Sequence, residues 1–214
     1  MSKGKFITFE GGEGTGKSTQ VEILVEALRK AGHPSIPTRE PGGSRGAEEI
    51  RTLLVNGETS RWTAMSEALL NYAARADHMD KTIKPALEKG AWVVSDRFSD
   101  STLAYQGYGH GLELYRIKAM HEVTLGAFYP DLTLIFDLPL EIGLARAADR
   151  GDGEDRYERM GHDFHERLRK GFLEIAASEK ERCVTIDASG NIEQTAGLVK
   201  AAVRERLGVE FDDE

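Results

Sequence analysis

The feature that most constrains this chain is residues 11–18, Gly-Gly-Glu-Gly-Thr-Gly-Lys-Ser, which match the pattern G-x-x-x-x-G-K-[ST]. An apolar run at residues 5–10 precedes this loop, and an amphipathic pattern that begins at Lys17 follows it. Glycines let backbone N–H groups turn toward phosphate oxygens, and the helix N-terminus adds partial positive charge. Lys17 can reach the β- and γ-phosphates, and the Ser18 hydroxyl can ligate Mg²⁺. The pattern predicts a nucleoside triphosphate site.

Short apolar runs alternate with helical patterns along the chain. The runs of strand length are residues 5–10, 35–38, 91–95, 132–137 and 182–187, and the helical patterns are residues 17–31, 61–88, 112–125, 140–149, 162–178 and 192–207. Continuous apolar runs are typical of strands buried on both faces, and alternation with helices is typical of a parallel sheet. We predict one α/β domain over residues 1–214, with a five-stranded parallel sheet and helices on both faces.

Composition limits the partners and the location. The 214 residues are 40% hydrophobic and 30% charged, with a net charge of −8, which argues against nucleic acid as a general partner. No apolar run reaches the ~20 residues of a membrane span, and the N-terminal residues do not resemble a signal peptide. Cys183 is the only cysteine, so no disulfide forms within the chain. We expect a cytoplasmic protein with a solvated acidic tail at residues 210–214.

The helical pattern at residues 61–88 carries two lines of side chains. An apolar line predicted for the core comprises Trp62, Met65, Leu69, Tyr72, Ala76, Met79, Ile83 and Leu87. A polar line comprises Glu67, Asn71, Arg75 and His78. Residues four apart share a helix face, so Asn71 and Arg75 point the same way. Spacing alone favours a solvated flank for this polar line over the wall of a cleft.

Two charged segments indicate phosphoryl transfer. Asp96-Arg97 ends an apolar run, and ligands of parallel sheets gather at the carboxyl ends of strands. There Asp96 can hold Mg²⁺ and Arg97 can grip a phosphate, although the two can also form a structural ion pair. Residues 148–160 are predicted to form an arginine-rich lid that hinges at Gly151 and Gly153 and brings positive charge to the transferring group.

The other classes of phosphate-loop protein fit less well. A GTPase would show Asn-Lys-x-Asp to read guanine, and this pattern does not occur in the sequence. A recombination or helicase motor would be longer and would carry Asp-Glu at the end of an apolar strand. An ATP-binding regulator without transferase activity remains open.

The sequence resembles bacterial thymidylate kinases along essentially its whole length. The blocks that carry this resemblance are the loop at residues 6–20, Arg-Glu-Pro-Gly-Gly at 39–43, Asp-Arg-Phe at 96–98 and Ser-Thr-Leu-Ala-Tyr-Gln-Gly at 101–107. The phosphate loop occurs in many enzymes, whereas the later blocks are specific to this family. The resemblance implies transfer of the γ-phosphoryl group of ATP to dTMP, with Mg²⁺, in a homodimer. The alternative within enzymes is a kinase for another nucleoside monophosphate.

The resemblance also implies roles for individual residues. ATP would be bound by Gly11, Gly12, Glu13, Gly14, Thr15, Gly16, Lys17, Ser18 and Thr19. dTMP would be bound by Arg39, Asn71, Arg75, Arg97, Ser101, Thr102, Tyr105 and Gln106. Arg75 would bond the thymine edge, Tyr105 would crowd the 2′ position, and Glu13 would lie near the 3′-hydroxyl. Ser18 and Asp96 would serve the metal, and the Glu40-Pro41 bond is expected to be cis.

The family divides by the position of its catalytic arginine, which lies in the phosphate loop or in the lid. Here the loop offers Gly14 and Thr15, so this chain resembles the lid type, with Arg150 and Arg156 as catalytic residues beside Lys17, Glu13 and Arg97. One position departs from the family pattern. Asn71 stands where a phenylalanine usually stacks on thymine, and loss of stacking would forfeit about 1 kcal/mol of base affinity.

Overall fold

The sheet has five parallel strands in the spatial order β2-β3-β1-β4-β5. The computed structural model describes residues 4–148 and 156–211. The strands are Phe6–Gly11 (β1), Ser35–Arg39 (β2), Trp92–Asp96 (β3), Leu132–Asp137 (β4) and Cys183–Asp187 (β5), each within one residue of its predicted run. β1 lies at the centre of the sheet, so the loop that follows it opens at the middle of the carboxyl edge. The predicted α/β class and parallel sheet are confirmed.

Nine α-helices occur in the described residues, and none combines the length and apolar character of a membrane span. They are Lys17–Lys30 (α1), Arg45–Val55 (α2), Ala64–His78 (α3), Lys84–Glu88 (α4), Ser99–Thr102 (α5), Leu114–Leu125 (α6), Leu140–Ala148 (α7), His162–Ser178 (α8) and Ile192–Leu207 (α9). The sequence patterns missed α2, which begins where the Ser44 side chain accepts a hydrogen bond from the Ala47 backbone. Two π-helical segments, Met79–Ile83 and Leu103–Gly109, also occur.

The helix predicted at residues 61–88 is not one continuous α-helix. The structure divides it into α3, the π-helical turn Met79–Ile83 and α4. The predicted apolar line is still largely buried, since Tyr72, Met79, Ile83 and Leu87 lie in the core. Because α3 packs against both α2 and α6, it also buries part of its polar line. Leu69, predicted for the core, is 53% exposed, whereas Glu67, Arg75 and His78 of the predicted solvated flank are buried.

Apolar side chains fill both faces of the sheet. One cluster packs α1 and α9 against the sheet and includes Leu24, Leu134 and Val203. Phe211 is also a buried member of this cluster, so the prediction of a solvated tail is wrong at that residue. The physical reason is that the chain after α9 turns back onto the sheet and removes an aromatic ring from water. Residues 212–214 lie outside the described residues.

Candidate active site

The loop between β1 and α1 is held in a conformation that requires glycine. Gly14 has a φ of 67°, and a Cβ atom placed on it would lie 2.0 Å from the carbonyl oxygen of Gly143 in α7. Gly16, the N-cap of α1, has a φ of 85°. A side chain at Gly14 would collide with α7, whereas Gly16 needs glycine for its positive φ. The loop can therefore approach α7 closely and turn into α1.

Lys17 lies in the first turn of α1 with its side chain folded over the loop. Its Nζ atom donates hydrogen bonds to the Gly12 carbonyl oxygen at 2.6 Å and to Thr15 Oγ1 at 3.0 Å. Burial, reinforced by the nearby Arg97 guanidinium, lowers the pKa of Lys17 to about 8, although Asp96 and Glu13 act in the opposite direction. A bound polyphosphate would favour the charged ammonium and raise this pKa again.

The end of β3 meets the start of α1. Ser18 Oγ donates a hydrogen bond of 2.5 Å to Asp96 Oδ2. The other carboxylate oxygen, Asp96 Oδ1, is buried and has no hydrogen-bond partner in the described part of the chain. A hydroxyl and a carboxylate oxygen without a partner are ligands that Mg²⁺ accepts. The residues present therefore fit a divalent cation at this point.

Among the residues that the structure describes, Arg97 is the one non-glycine residue with a positive φ, 72°. Such a conformation costs about 1–3 kcal/mol and needs support from its surroundings. Glu10, at the end of β1, supplies that support by accepting hydrogen bonds from the Phe98 backbone N–H at 2.8 Å and from Ser101 Oγ at 2.5 Å. Burial, together with the nearby Asp100, raises the pKa of Glu10 to about 8.

The Arg97 side chain is directed back to the phosphate loop. Its guanidinium donates to the Gly11 carbonyl oxygen at 2.8 Å and to Glu13 Oε1 at 3.0 Å, and it lies 4.9 Å from the centre of the Tyr105 ring. The Tyr105 hydroxyl donates to the same Glu13 oxygen at 2.5 Å. The three side chains predicted for catalysis and sugar selection thus form one connected cluster.

Arg75 is buried at the other end of the site. Its Nε atom donates to Glu40 Oε2 at 2.7 Å, and its Nη atoms donate to the Phe98 carbonyl oxygen at 2.9 Å and to Thr102 Oγ1 at 3.2 Å. The second Glu40 oxygen lies 3.0 Å from His78 Nδ1. The guanidinium is therefore fixed from several sides. The Glu40-Pro41 peptide bond is cis, as the resemblance implied.

These groups line one cavity of about 790 Å³ along the carboxyl edge of the sheet. The predicted site residues that line it are Glu13, Gly14, Thr15, Gly16, Lys17, Ser18, Thr19, Arg39, Asn71, Arg75, Asp96, Arg97, Ser101, Thr102, Tyr105 and Gln106. Gly11 and Gly12 belong to the same loop but are not part of that lining. Arg39 is half-exposed at the rim, where its Nη2 atom lies 3.1 Å from Glu48 Oε2.

The catalytic role predicted for Arg156 is not supported by its position. The guanidinium is fully buried, and it donates to the carbonyl oxygens of Leu54 and Thr59 at 3.1 and 3.0 Å and to Glu67 Oε1. Arg156 also lies outside the lining of the cavity. The sequence placed it in a mobile lid because it follows glycines, but its donors are satisfied by the end of α2 and by α3. Arg150 falls outside the described residues.

Sequence reasoning missed several functional residues. Glu10 and Glu40 hold Arg97 and Arg75, and the available signal was a carboxylate within or directly after an apolar strand. At the far end of the cavity lie Arg146, Asn191 and Ile192, from α7 and the start of α9. Gln20 Nε2 donates to the Ile192 carbonyl oxygen at 2.9 Å and so fixes that end relative to α1. Nothing in their spacing indicates that they meet the phosphate loop.

Comparison with known proteins gives a consistent result. The family model described as thymidylate kinase matches residues 9–198. A thymidylate kinase of Caulobacter vibrioides is 54% identical over 209 residues, covering 98% of this chain and 100% of that protein. A thymidylate kinase of Nitrobacter hamburgensis is 51% identical over 209 residues, covering 97% of this chain and 91% of that protein. A crystal structure of thymidylate kinase from Ehrlichia chaffeensis superposes with a TM-score of 0.74 at 33% identity, covering 94% of this chain and 99% of that one.

Proposed function

The chain belongs to the thymidylate kinase family and transfers the γ-phosphoryl group of ATP to dTMP, giving ADP and dTDP, and we propose how its residues divide that work. The observation that carries the proposal is that one cavity joins the phosphate loop to the buried Arg75. We assign ATP to the loop and to the end lined by Arg146 and Asn191. We assign the base of dTMP to the end lined by Arg75, Thr102 and Gln106.

Transfer needs positioning and charge neutralisation more than proton removal. The attacking oxygen of a nucleoside monophosphate is already ionised at neutral pH, so no general base is required. Negative charge spreads over the transferring group, and fixed cations stabilise it. Lys17 is placed to contact the β- and γ-phosphates. Arg97, held by Glu13 and Ser101, is placed to clamp the phosphate of dTMP.

A kinase that uses ATP works with a divalent metal, and we propose Mg²⁺ held by Ser18 and Asp96. The orphaned Oδ1 atom of Asp96 supports this assignment. When bound, the ion would neutralise charge on the β- and γ-phosphates. The protein's own contribution is to keep the hydroxyl and the carboxylate together at the junction of α1 and β3.

Arg150 is proposed as the catalytic arginine of the lid. The phosphate loop cannot supply one at position 14, because α7 occupies the space next to Gly14. The buried Arg156 is committed to Glu67 and to backbone carbonyl groups, so we do not retain it as a catalytic residue. Arg150 follows α7, the helix that contacts the loop.

We further propose a cytoplasmic homodimer. α3 and α6 pack against each other and carry the exposed apolar side chains Leu69, Tyr115 and Val123. A second copy that covered them would remove apolar area from water. Sedimentation equilibrium tests this proposal, and a monomer at micromolar concentration would contradict it.

A coupled assay for ADP, run with ATP, Mg²⁺ and a panel of monophosphates, tests the activity itself. We expect the highest kcat/KM with dTMP and lower values with dUMP, dCMP, dGMP and AMP. A preference for another monophosphate would assign the chain to a different acceptor. Binding of ATP with no turnover of any acceptor would instead indicate a regulator.

A further inference from the structure

Glu67 is a buried carboxylate that none of the catalytic assignments uses. It lies in the first turn of α3 and is fully buried. Arg156 Nη2 donates to its Oε1 atom, whereas Gln106 Nε2 donates to its Oε2 atom at 3.0 Å. The Tyr157 hydroxyl also donates to Oε2, at 3.3 Å, and His110 Nε2 lies 3.6 Å from it. The charge of Glu67 is therefore balanced by Arg156, while its second oxygen holds Gln106.

The bond to Glu67 fixes the orientation of the Gln106 amide. An ionised carboxylate can only accept hydrogen bonds, so it must meet the NH₂ end of a glutamine. The oxygen Oε1 is then the acceptor of Gln106 that remains for the cavity, which Gln106 lines together with Arg75 and Thr102. Rotation of the amide would place Oε1 against the carboxylate, and two acceptors would face each other in a buried site.

The cavity wall therefore presents a donor and an acceptor to the base. Arg75 can only donate, and Gln106 offers its amide oxygen. The edge of thymine carries a carbonyl oxygen at position 4, which accepts, and an N–H at position 3, which donates. Cytosine reverses both groups, with an amino group at position 4 and a bare nitrogen at position 3. The pattern on the wall matches thymine and opposes cytosine.

We propose that Glu67 is a positioning residue that selects the pyrimidine, by holding the Gln106 amide with its oxygen toward the base. This proposal rests on dTMP as the acceptor. It attributes discrimination to a residue that does not contact the substrate. Arg156, in turn, donates to Glu67 Oε1 and balances the charge of the carboxylate.

The variant Glu67→Gln tests the proposal because it should invert the Gln106 amide. The Arg156 guanidinium would take the oxygen of Gln at position 67, so that its NH₂ group would face Gln106. Gln106 would then turn its own NH₂ group to the cavity. We expect kcat/KM to fall for dTMP and to rise for 5-methyl-dCMP, which differs from dTMP only at positions 3 and 4. The ratio of the two values should drop by about tenfold or more.

Two further variants separate this effect from a loss of packing. Arg156→Lys keeps a cation beside Glu67 and leaves its bond to Gln106, so the ratio should stay as in the wild type. In a Gln106→Met background, Glu67→Gln should change the ratio no further. If Glu67→Gln alone does not fold, the double variant Glu67→Met/Arg156→Met removes the pair without leaving a buried charge. It also removes the acceptor that fixes the Gln106 amide, so its ratio should still fall.

An unchanged ratio in a folded Glu67 variant would overturn the proposal, as would an equal fall in Arg156→Lys. A wild-type enzyme without turnover of dTMP would instead refute the assigned acceptor. The two failures are therefore distinguishable in one set of assays.

Discussion

The Ser18 hydroxyl lies 2.5 Å from Asp96 Oδ2, so the first turn of α1 and the end of β3 meet at one point. The two residues are 78 positions apart in the sequence, and the parallel pairing of β1 with β3 brings them together. The phosphate loop and the proposed metal ligand Asp96 therefore meet at a single junction.

Asp96→Asn should weaken the response to Mg²⁺. The amide keeps the shape of the carboxylate but lacks its charge, so we expect the Mg²⁺ concentration for half-maximal activity to rise about tenfold, with little change in KM for dTMP. Titration of Mg²⁺ at saturating ATP measures this. Asp137→Asn is the matched control, because Asp137 ends β4, on the other side of β1, and is bound to Arg169. An equal shift in both variants would remove Asp96 from the metal site.

Binding of a non-hydrolysable ATP analogue with Mg²⁺ should take up a proton near pH 8. The pKa of Lys17 is lowered to about 8, so about half of the free enzyme carries a neutral amine at that pH. The bound phosphates favour the ammonium and raise this pKa, so uptake should fade at about pH 6.5, where Lys17 is already charged. Calorimetry in two buffers of different ionisation enthalpy measures the uptake. Lys17→Arg should abolish it, and persistence in that variant would assign the proton to another group.

Arg150→Ala should lower the activity, whereas Arg156→Ala should lower the stability of the fold. We expect the Arg150 variant to lose at least about a hundredfold in kcat with KM for ATP nearly unchanged, because a lid cation acts in the transition state. We expect the Arg156 variant to lose about 3–5 kcal/mol of unfolding free energy, because Glu67 is left buried without its cation. Steady-state kinetics and urea denaturation measure the two effects. A stable Arg156 variant with lost kcat would restore Arg156 as a catalytic residue.

Tyr105→Ala should narrow the preference for dTMP over its ribose analogue. The Tyr105 ring is held by Arg97 and by the Glu13 carboxylate, so it forms a fixed wall beside the proposed sugar position. Tyr105→Phe keeps the ring and should keep the preference, which makes it the control. The ratio of kcat/KM values for the two substrates is the measurement. If Tyr105→Ala leaves that ratio unchanged, residues other than Tyr105 discriminate at the 2′ position.

Asn71→Phe should lower KM for dTMP by at most about tenfold, because an aromatic ring adds stacking worth about 1 kcal/mol. The kcat should barely change, since the base is bound equally in ground and transition states. The Asn71 side chain donates to the Glu67 carbonyl oxygen at 2.9 Å, so the substitution removes a hydrogen bond within its own helix. A sharp rise in KM would show that Asn71 makes a polar contact with the substrate.

The sequence could predict the parts of the site that depend on local pattern. Residues 11–18 predicted a loop between a strand and a helix because glycine spacing and the flanking apolar runs are local properties. The alternation of runs predicted the parallel sheet, which is confirmed. Asp96-Arg97 was placed at the cavity because the carboxyl ends of parallel strands share one edge. Family membership and dTMP as the acceptor followed from motif blocks, and the comparisons bear them out.

Only the tertiary structure decided how the buried polar groups pair. The partners Glu67 and Arg156 are 89 positions apart, and Glu10 and Phe98 are 88 apart, so no local pattern relates them. The polar line of α3 is buried for the same reason, because its charged side chains meet partners on other elements: Arg75 pairs with Glu40, and Glu67 pairs with Arg156. Short-range periodicity records which side chains prefer burial. The pairing of buried charges depends on long-range packing. A desolvated charge is destabilising unless it is paired, and its partner can come from any element that the fold places beside it.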